Sequence, residues 1–119
     1  MTTVTLYHNP DCSKSRAVLA LLEQNDIEPE VIYYMDNPPD VQTLKSLLNK
    51  LGLNVRDVLR RSEPEFEQLG LDDSSLADAI ILDLLAEHPV LLQRPIVIAD
   101  SKAIIGRPPE AVLPFIEEL

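Results

Sequence analysis

The spacing of apolar residues changes several times along the chain, and each change predicts a strand or a helix. The apolar run from Thr3 to His8 predicts a short buried strand. Helical spacing then predicts a helix from Ser13 to about Asn25, with Asp11 or Ser13 as its N-cap. A second strand is predicted from Glu30 to Tyr34. This βαβ unit should have parallel strands and a right-handed crossover.

The middle of the chain predicts helices without strands. Apolar positions from Val41 to Leu51 form one face of an amphipathic helix, which Gly52 should end. Asn54 is the expected N-cap of a shorter helix that continues to Leu59. One helical turn is expected around Phe66, within an irregular acidic stretch.

A further helix is predicted from Leu76 to Glu87. Ser75 and Asp78 have the spacing of a capping box at its start. Helical spacing identifies four residues of this segment as core-facing, namely Ile80, Ile81, Leu84 and Leu85.

The end of the chain returns to strands. Residues 96–98 and 103–105 flank Asp100-Ser101 and predict a β-hairpin. A last helix should begin at Pro108-Pro109, continue through Phe115 and bend at Pro114. The predicted fold class is therefore α/β, with a mixed sheet and a thioredoxin-like core. We expect residues 1–119 to form a single domain that carries a helical insertion at about residues 38–90.

Composition narrows the functional classes. The 119 residues carry a formal charge of −10, which disfavours a general role in nucleic-acid binding. No apolar run is long enough to cross a bilayer, and no export signal is recognisable, so we expect a cytoplasmic protein. The single cysteine cannot form an internal disulfide.

Cys12 is the candidate reactive residue. It lies at the predicted junction of strand and helix, where free N–H groups and the helix dipole stabilise a thiolate. The alternative is an inert cysteine that packs as a small hydrophobic residue. Ser15 stands where a dithiol motif would have its second cysteine, so an external thiol would have to regenerate Cys12. His8 could lower the thiol pKa, or could simply end the strand with a satisfied imidazole.

An oxyanion substrate would require positive charge from elsewhere in the chain. A phosphatase-type loop needs arginine six positions after its cysteine, and Val18 occupies that position. Arg60, Arg94 and Arg107 are the candidate substrate-binding residues, because arginine offers forked donors and stays charged. The histidines and the cysteine show no metal-ligand spacing, so no metal site is expected.

These motifs together resemble the glutaredoxin-coupled arsenate reductase (ArsC-type) family over nearly the whole chain. The blocks that carry the resemblance are Tyr7-His8-Asn9-Pro10-Asp11-Cys12 with Ser15 and Arg16, Val55 to Arg60, His88-Pro89, Gln93-Arg94-Pro95-Ile96-Val97 and Gly106-Arg107-Pro108. The motif Cys-Ser-Lys-Ser is similar to that of one branch of the family. The resemblance implies a thioredoxin-like fold with a helical insertion, and a cis proline at Pro95.

The resemblance also implies a mechanism. Cys12 attacks arsenate, and Arg60, Arg94 and Arg107 hold the resulting arseno-cysteine adduct. Glutathione attacks this adduct, glutaredoxin resolves the mixed disulfide, and arsenite is released. His8 and Ser15 match family positions that help to activate the thiolate. No bound cofactor is implied, and a monomer is expected.

Three other functions remain open from the sequence. The first is a non-catalytic thioredoxin-fold module that senses redox state or binds a protein. The second is a monothiol-glutaredoxin-like protein in which Cys12 holds an iron–sulfur cluster between subunits. The third, a regulator that binds RNA polymerase, is disfavoured because Ser15 removes the second cysteine that many such regulators use.

Overall fold

A four-stranded mixed sheet organises the first and last parts of the chain. The computed structural model describes residues 3–119. Its strands span Val4–Tyr7 (β1), Glu30–Ile32 (β2), Ile96–Ala99 (β3) and Lys102–Ile105 (β4). They lie in the order β2-β1-β3-β4, with β1 parallel to β2 and the other neighbours antiparallel. The α/β fold with a mixed sheet is therefore confirmed.

Two compact units divide the described chain, one formed by residues up to Asn37 and from Arg94 onward, the other by Pro38–Gln93. We call them the α/β unit and the helical unit. Ser13–Gln24 (α1) packs its buried side chains Val18 and Leu22 into the core of the α/β unit. The same core contains residues from the strands and the last helix, namely Val4, Leu6, Val97, Ala99 and Val112.

The helical unit begins with the helix Val41–Leu51 (α2). Asp40 is its N-cap and accepts a 2.8 Å hydrogen bond from the Thr43 N–H, while Gly52 ends it at φ 69°. The other α-helices of this unit are Pro64–Gln68 (α3) and Asp78–Glu87 (α4), and shorter 3-10 turns occupy Val55–Val58 and Pro89–Leu91. Asn54 does form a capping box, with Asp57, but the element that it begins is a 3-10 turn.

The predicted start and face of α4 were partly wrong. Ser75 does not cap it, because the Ser75 N–H and hydroxyl both donate to Asp73 Oδ1, and Ala77 is the N-cap. Ile80 is 49% exposed, whereas Leu82 is buried with Ile81 and Leu85. Four consecutive apolar residues, 79–82, cannot all face one side of a helix, so the sequence left this face ambiguous.

Smaller differences occur at the ends of other elements. The second strand ends at Ile32 rather than at Tyr34, and the N-cap of α1 is Cys12 itself rather than Asp11 or Ser13. The last helical segment is a 3-10 turn, Pro109–Ala111, followed by the helix Val112–Glu117 (α5). Within residues 3–119, no helix has the length and apolar character needed to span a membrane.

Candidate active site

The loop after β1 places Cys12 at the start of α1. The His8 N–H donates to Ile32 O over 2.9 Å, which ties the beginning of the loop to the end of β2. The Cys12 N–H donates to Asn9 O over 3.0 Å, which closes a tight turn. Asn9 also stabilises the turn by accepting the Asp11 N–H at its side-chain oxygen. The chain therefore reaches Cys12 in an extended conformation, as an N-cap residue requires.

The environment of Cys12 favours the thiolate. Its partial burial raises the thiol pKa. The backbone N–H groups of Ser15 and Lys14 and the Arg94 guanidinium lower this pKa by more than burial raises it, so the net shift is downward. Cys12 makes no side-chain capping hydrogen bond, and the N–H groups of Ser15 and Lys14 act on the thiol from the first turn of α1. Cys12 is also partly exposed and can reach a ligand from solvent.

The sheet brings Arg94 and Arg107 to the same edge as Cys12. Tyr7 at the end of β1 pairs with Ile96 at the start of β3, and Ile96 pairs with Ile105 at the end of β4. Arg94 precedes β3 and Arg107 follows β4, so both lie where the Cys12 loop begins. The peptide bonds Arg94–Pro95 and Arg107–Pro108 are both cis, which confirms the predicted cis proline at Pro95.

Arg107 connects the two segments of this edge. Its Nε donates to Arg94 O over 2.7 Å, and its Nη2 lies 3.9 Å from Cys12 Sγ. Arg107 thus lies against the sulfur, and the Arg94 guanidinium lowers the pKa of the Cys12 thiol through a hydrogen bond and its charge. Gly106 allows this close packing, since a Cβ there would lie 2.6 Å from Val18 Cγ2 and 3.0 Å from Pro95 Cγ.

His8 and Ser15 form a buried polar pair beneath the loop. His8 Nδ1 lies 2.7 Å from Ser15 Oγ, which also accepts the Asn9 N–H over 3.0 Å. Burial lowers the pKa of His8, and the charge of Arg16 lowers it further, so the imidazole is neutral at neutral pH. The imidazole has a hydrogen-bond partner in Ser15, and both roles considered for His8 stay predictions.

Arg60 belongs to the helical unit and has partners there. Its Nε forms a 3.1 Å ion pair with Glu63 Oε1, and its backbone N–H donates to Leu91 O. Both side chains of the ion pair are only partly exposed to water. A role for Arg60 in binding a substrate stays a prediction from the sequence.

Arg16 and Tyr33 lie near the site but were not among the candidate site residues, although Arg16 belongs to the motif that carries the family resemblance. Arg16 donates from Nη1 to Pro10 O over 2.7 Å, a contact that depends on the backbone of the turn. The Tyr33 ring packs edge-on against His8, with centroids 5.9 Å apart, and is 46% exposed. The adjacent Tyr34 is buried and stacks on Tyr7. No pattern in the sequence distinguishes the two tyrosines. Within residues 3–119, no group of three or more potential ligands could hold a metal ion.

The chain is similar to known proteins over nearly its whole length. The model of the ArsC family matches residues 7–115. An arsenate reductase from Neisseria meningitidis serogroup A is 47% identical over 94% of this chain and 97% of its own. YfgD, an uncharacterised protein of Escherichia coli K12, is 47% identical over 95% and 96%. The structure of an arsenate reductase from Vibrio cholerae superposes with a TM-score of 0.92, at 50% identity over 94% of this chain and 96% of that one.

Proposed function

The chain belongs to the ArsC family, and on this premise we propose that it reduces arsenate to arsenite with Cys12 as the nucleophile. Relatives named arsenate reductase are similar over nearly the full length of the chain. The observation that carries the proposal is the sulfur of Cys12, whose pKa is lowered at a helix N-terminus beside Arg94 and Arg107. A thiolate next to two guanidinium groups combines a nucleophile with a site for an oxyanion.

The first step joins sulfur to arsenic. The Cys12 thiolate attacks the arsenic of arsenate, an arsenic–sulfur bond forms, and one arsenate oxygen leaves as water after protonation. Arg94 and Arg107 neutralise the remaining oxygens, because guanidinium donors keep their charge and match the fork of an oxyanion. Arsenic stays in its pentavalent state throughout this step.

The second step transfers the electrons. The sulfur of glutathione attacks Cys12 Sγ, a disulfide forms between them, and the arsenic–sulfur bond breaks with its electron pair moving to arsenic. Arsenic is thereby reduced from the pentavalent to the trivalent state and leaves as arsenite. A glutaredoxin thiolate then attacks the mixed disulfide and releases the Cys12 thiolate. The single cysteine of the chain fits a cycle in which both later thiols come from partners.

Ser15 and His8 act in this proposal as positioning residues. The Ser15 N–H stabilises the thiolate, while the Ser15 hydroxyl is fixed by His8 Nδ1 and the Asn9 N–H. This arrangement holds the loop against the first turn of α1, so the sulfur stays in the field of the helix N-terminus. Neutral His8 supplies a hydrogen-bond partner without adding charge.

Arg60 enters the proposal from the resemblance of its segment to the family, as a third binding residue for arsenate. An anion would have to compete with Glu63 for its guanidinium. We further propose that the protein works in the cytoplasm as a monomer, where a pool of reduced glutathione is present. Glutathione serves as a co-substrate in this scheme, and the protein needs no bound cofactor.

A coupled assay tests the proposal. Purified protein is supplied with arsenate, glutathione and glutaredoxin, and arsenite formation is measured with each component omitted in turn. We expect turnover that depends on all three, and we expect Cys12→Ser to abolish it. The matched control is Lys102→Gln, which removes a charge from an exposed residue of β4 and should leave turnover unchanged.

Two results would contradict the proposal. Turnover by Cys12→Ser would remove Cys12 as the nucleophile. An inert wild-type protein whose Cys12 still has a lowered pKa, and which captures a protein partner through that thiol, would favour a redox-sensing module instead.

A further inference from the structure

Positive charge is unevenly distributed within the α/β unit. This unit contains ten Asp and Glu residues but only five Lys and Arg. Lys102 lies on β4 and pairs with Glu118. The other four belong to the Cys12 loop, the first turn of α1 or the adjoining strand ends, namely Lys14, Arg16, Arg94 and Arg107. Arg94 and Arg107 account for the thiolate and the oxyanion, which leaves two cations beside Cys12 without an assigned role.

Arg16 is the better placed of these two residues to bind a ligand. Its Nη1 donates to Pro10 O over 2.7 Å, and Pro10 lies only two residues before Cys12. This bond fixes the guanidinium on the loop that carries the thiol. A guanidinium has five N–H donors, so one bond to a carbonyl leaves most of them for other acceptors. Arg16 is exposed, and within residues 3–119 no ion pair joins it to a carboxylate.

The second step of the proposed reaction needs such a group. Glutathione is a tripeptide with two carboxylates, and its sulfur must approach Cys12 Sγ. Its glycine carboxylate lies about two residue lengths, roughly 7 Å, from that attacking sulfur. Arg16 is four residues beyond Cys12, the N-cap of α1, so the two backbone positions are separated by a rise of about 6 Å along the helix. The Arg16 guanidinium is held on the loop by Pro10 O, so it can pair with a carboxylate of the attacking thiol.

We propose that Arg16 binds a carboxylate of glutathione and thereby orients the glutathione sulfur toward Cys12. This inference rests on the proposed function, because it assigns the reductant of the same site. It separates two anion sites, with Arg94 and Arg107 for the oxyanion and Arg16 for the reductant. The competing explanation is structural, in which Arg16 only braces the loop through Pro10 O.

Thiol–disulfide exchange tests Arg16 without arsenate or glutaredoxin. The Cys12 thiolate attacks oxidised glutathione, forms the mixed disulfide and releases one glutathione thiolate, so atoms and electrons balance. The neutral reagent bis(2-hydroxyethyl) disulfide undergoes the same exchange but has no carboxylates. The ratio of the two rate constants is insensitive to the reactivity of Cys12, because any change in that reactivity affects both reagents.

We expect the ratio in Arg16→Gln to fall roughly fivefold, the effect of losing one charge-assisted contact. Arg16→Lys keeps the charge without the fork and should fall less. Lys14→Gln is the matched control, since it removes the same charge from the same turn of α1 about 200° away around the helix. Its ratio should change less than twofold, and that of Lys102→Gln should not change. Added salt should reduce the ratio of the wild-type protein.

Two outcomes would overturn the inference. If Arg16→Gln slows both disulfides equally, Arg16 only supports the loop. If Lys14→Gln lowers the ratio as much as Arg16→Gln, the effect is a diffuse field rather than a binding point. Because the exchange contains no arsenate, both outcomes can be recognised even if the protein does not reduce arsenate. If it does, Arg16→Gln should also raise KM for glutathione while leaving KM for arsenate unchanged.

Discussion

Arginines of the α/β unit and of the helical unit use their donors in different ways. In the α/β unit, Arg107 donates to the Arg94 carbonyl and directs a second nitrogen toward Cys12 Sγ. In the helical unit, Arg56 donates to the carbonyls of Leu71, Asp73 and Leu76. Arg60 is bound to Glu63.

The difference is one of partners rather than residue type. Arg56 satisfies backbone groups of an irregular segment, where carbonyls without partners would cost free energy. Arg60 is neutralised by a carboxylate within its own unit. Within residues 3–119, Arg107 directs a donor toward the sulfur of Cys12, the proposed nucleophile. The partners of an arginine therefore indicate its function better than its position in the sequence does.

Among the substitutions that test this comparison, Arg94→Ala should have the largest effect. Loss of the guanidinium removes charge from both the thiolate and the oxyanion, and kcat/KM for arsenate should fall about 100-fold. The pKa of Cys12 should rise toward the ordinary thiol range, because Arg94 contributes to its lowering. The pH dependence of alkylation by iodoacetamide measures this shift.

The sign of the pH effect is fixed by the direction of the shift. Since folding lowers the thiol pKa, the thiolate adds stability at pH above the ordinary thiol pKa, and that gain is lost as pH falls through the lowered value. Arg107→Ala should impair turnover with a smaller change in the alkylation midpoint. Equal midpoints for wild type and Arg94→Ala would contradict the role assigned to Arg94.

A second prediction compares one glycine from each unit by urea unfolding. Gly106→Ala should lower the free energy of unfolding by about 1–3 kcal/mol, because the new Cβ meets Val18 and Pro95. Gly52→Ala meets no atom within 4 Å, and its cost of about 1 kcal/mol should come only from the positive φ. Gly106→Ala should also lower turnover, since Arg107 is the next residue. A variant as active and stable as the wild type would show that the packing at Gly106 tolerates a Cβ.

The smallest predicted effect concerns Arg60. Glu63→Gln removes the ion pair, and if Arg60 binds arsenate, KM for arsenate should fall about twofold, within the free energy of a partly exposed pair. Arg60→Ala should raise the same KM. An unchanged KM in both variants would assign Arg60 to the helical unit alone, as the comparison with Arg56 suggests.

Much of the fold could be predicted because its local signals agree. The apolar run before Tyr7, the helix end at Gly52 and the hairpin about Asp100 each have a single interpretation, and the structure follows all three. The helix after Ser75 was predicted less well, because Asp73 takes the serine hydroxyl before it can serve as a cap. Competition between two nearby acceptors depends on backbone conformation, which periodicity does not reveal.

The candidate site was predictable to a similar extent. Arg94 and Arg107 were predicted to lie at strand ends because each is next to a proline or a glycine. The strand pairing places both of these strand ends at the edge of the sheet where β1 ends. The His8–Ser15 bond and the Arg16–Pro10 bond could not be derived, because each joins residues across a turn whose geometry is set by the Asn9 hydrogen bonds. The low pKa of His8 follows from burial, which the sequence alone does not specify.

The position of β1 has a consequence for a chain that is still being synthesised. Cys12 and its contact Arg107 are 95 residues apart, and β1 pairs with β3 only after the helical unit has been made. Because a nascent chain emerges from the ribosome with its N-terminus first, Cys12 leaves the ribosome before Arg94 and Arg107 are synthesised. The thiol thus acquires its arginine partners only when the last strands join the sheet, and until then the Arg94 guanidinium cannot lower its pKa.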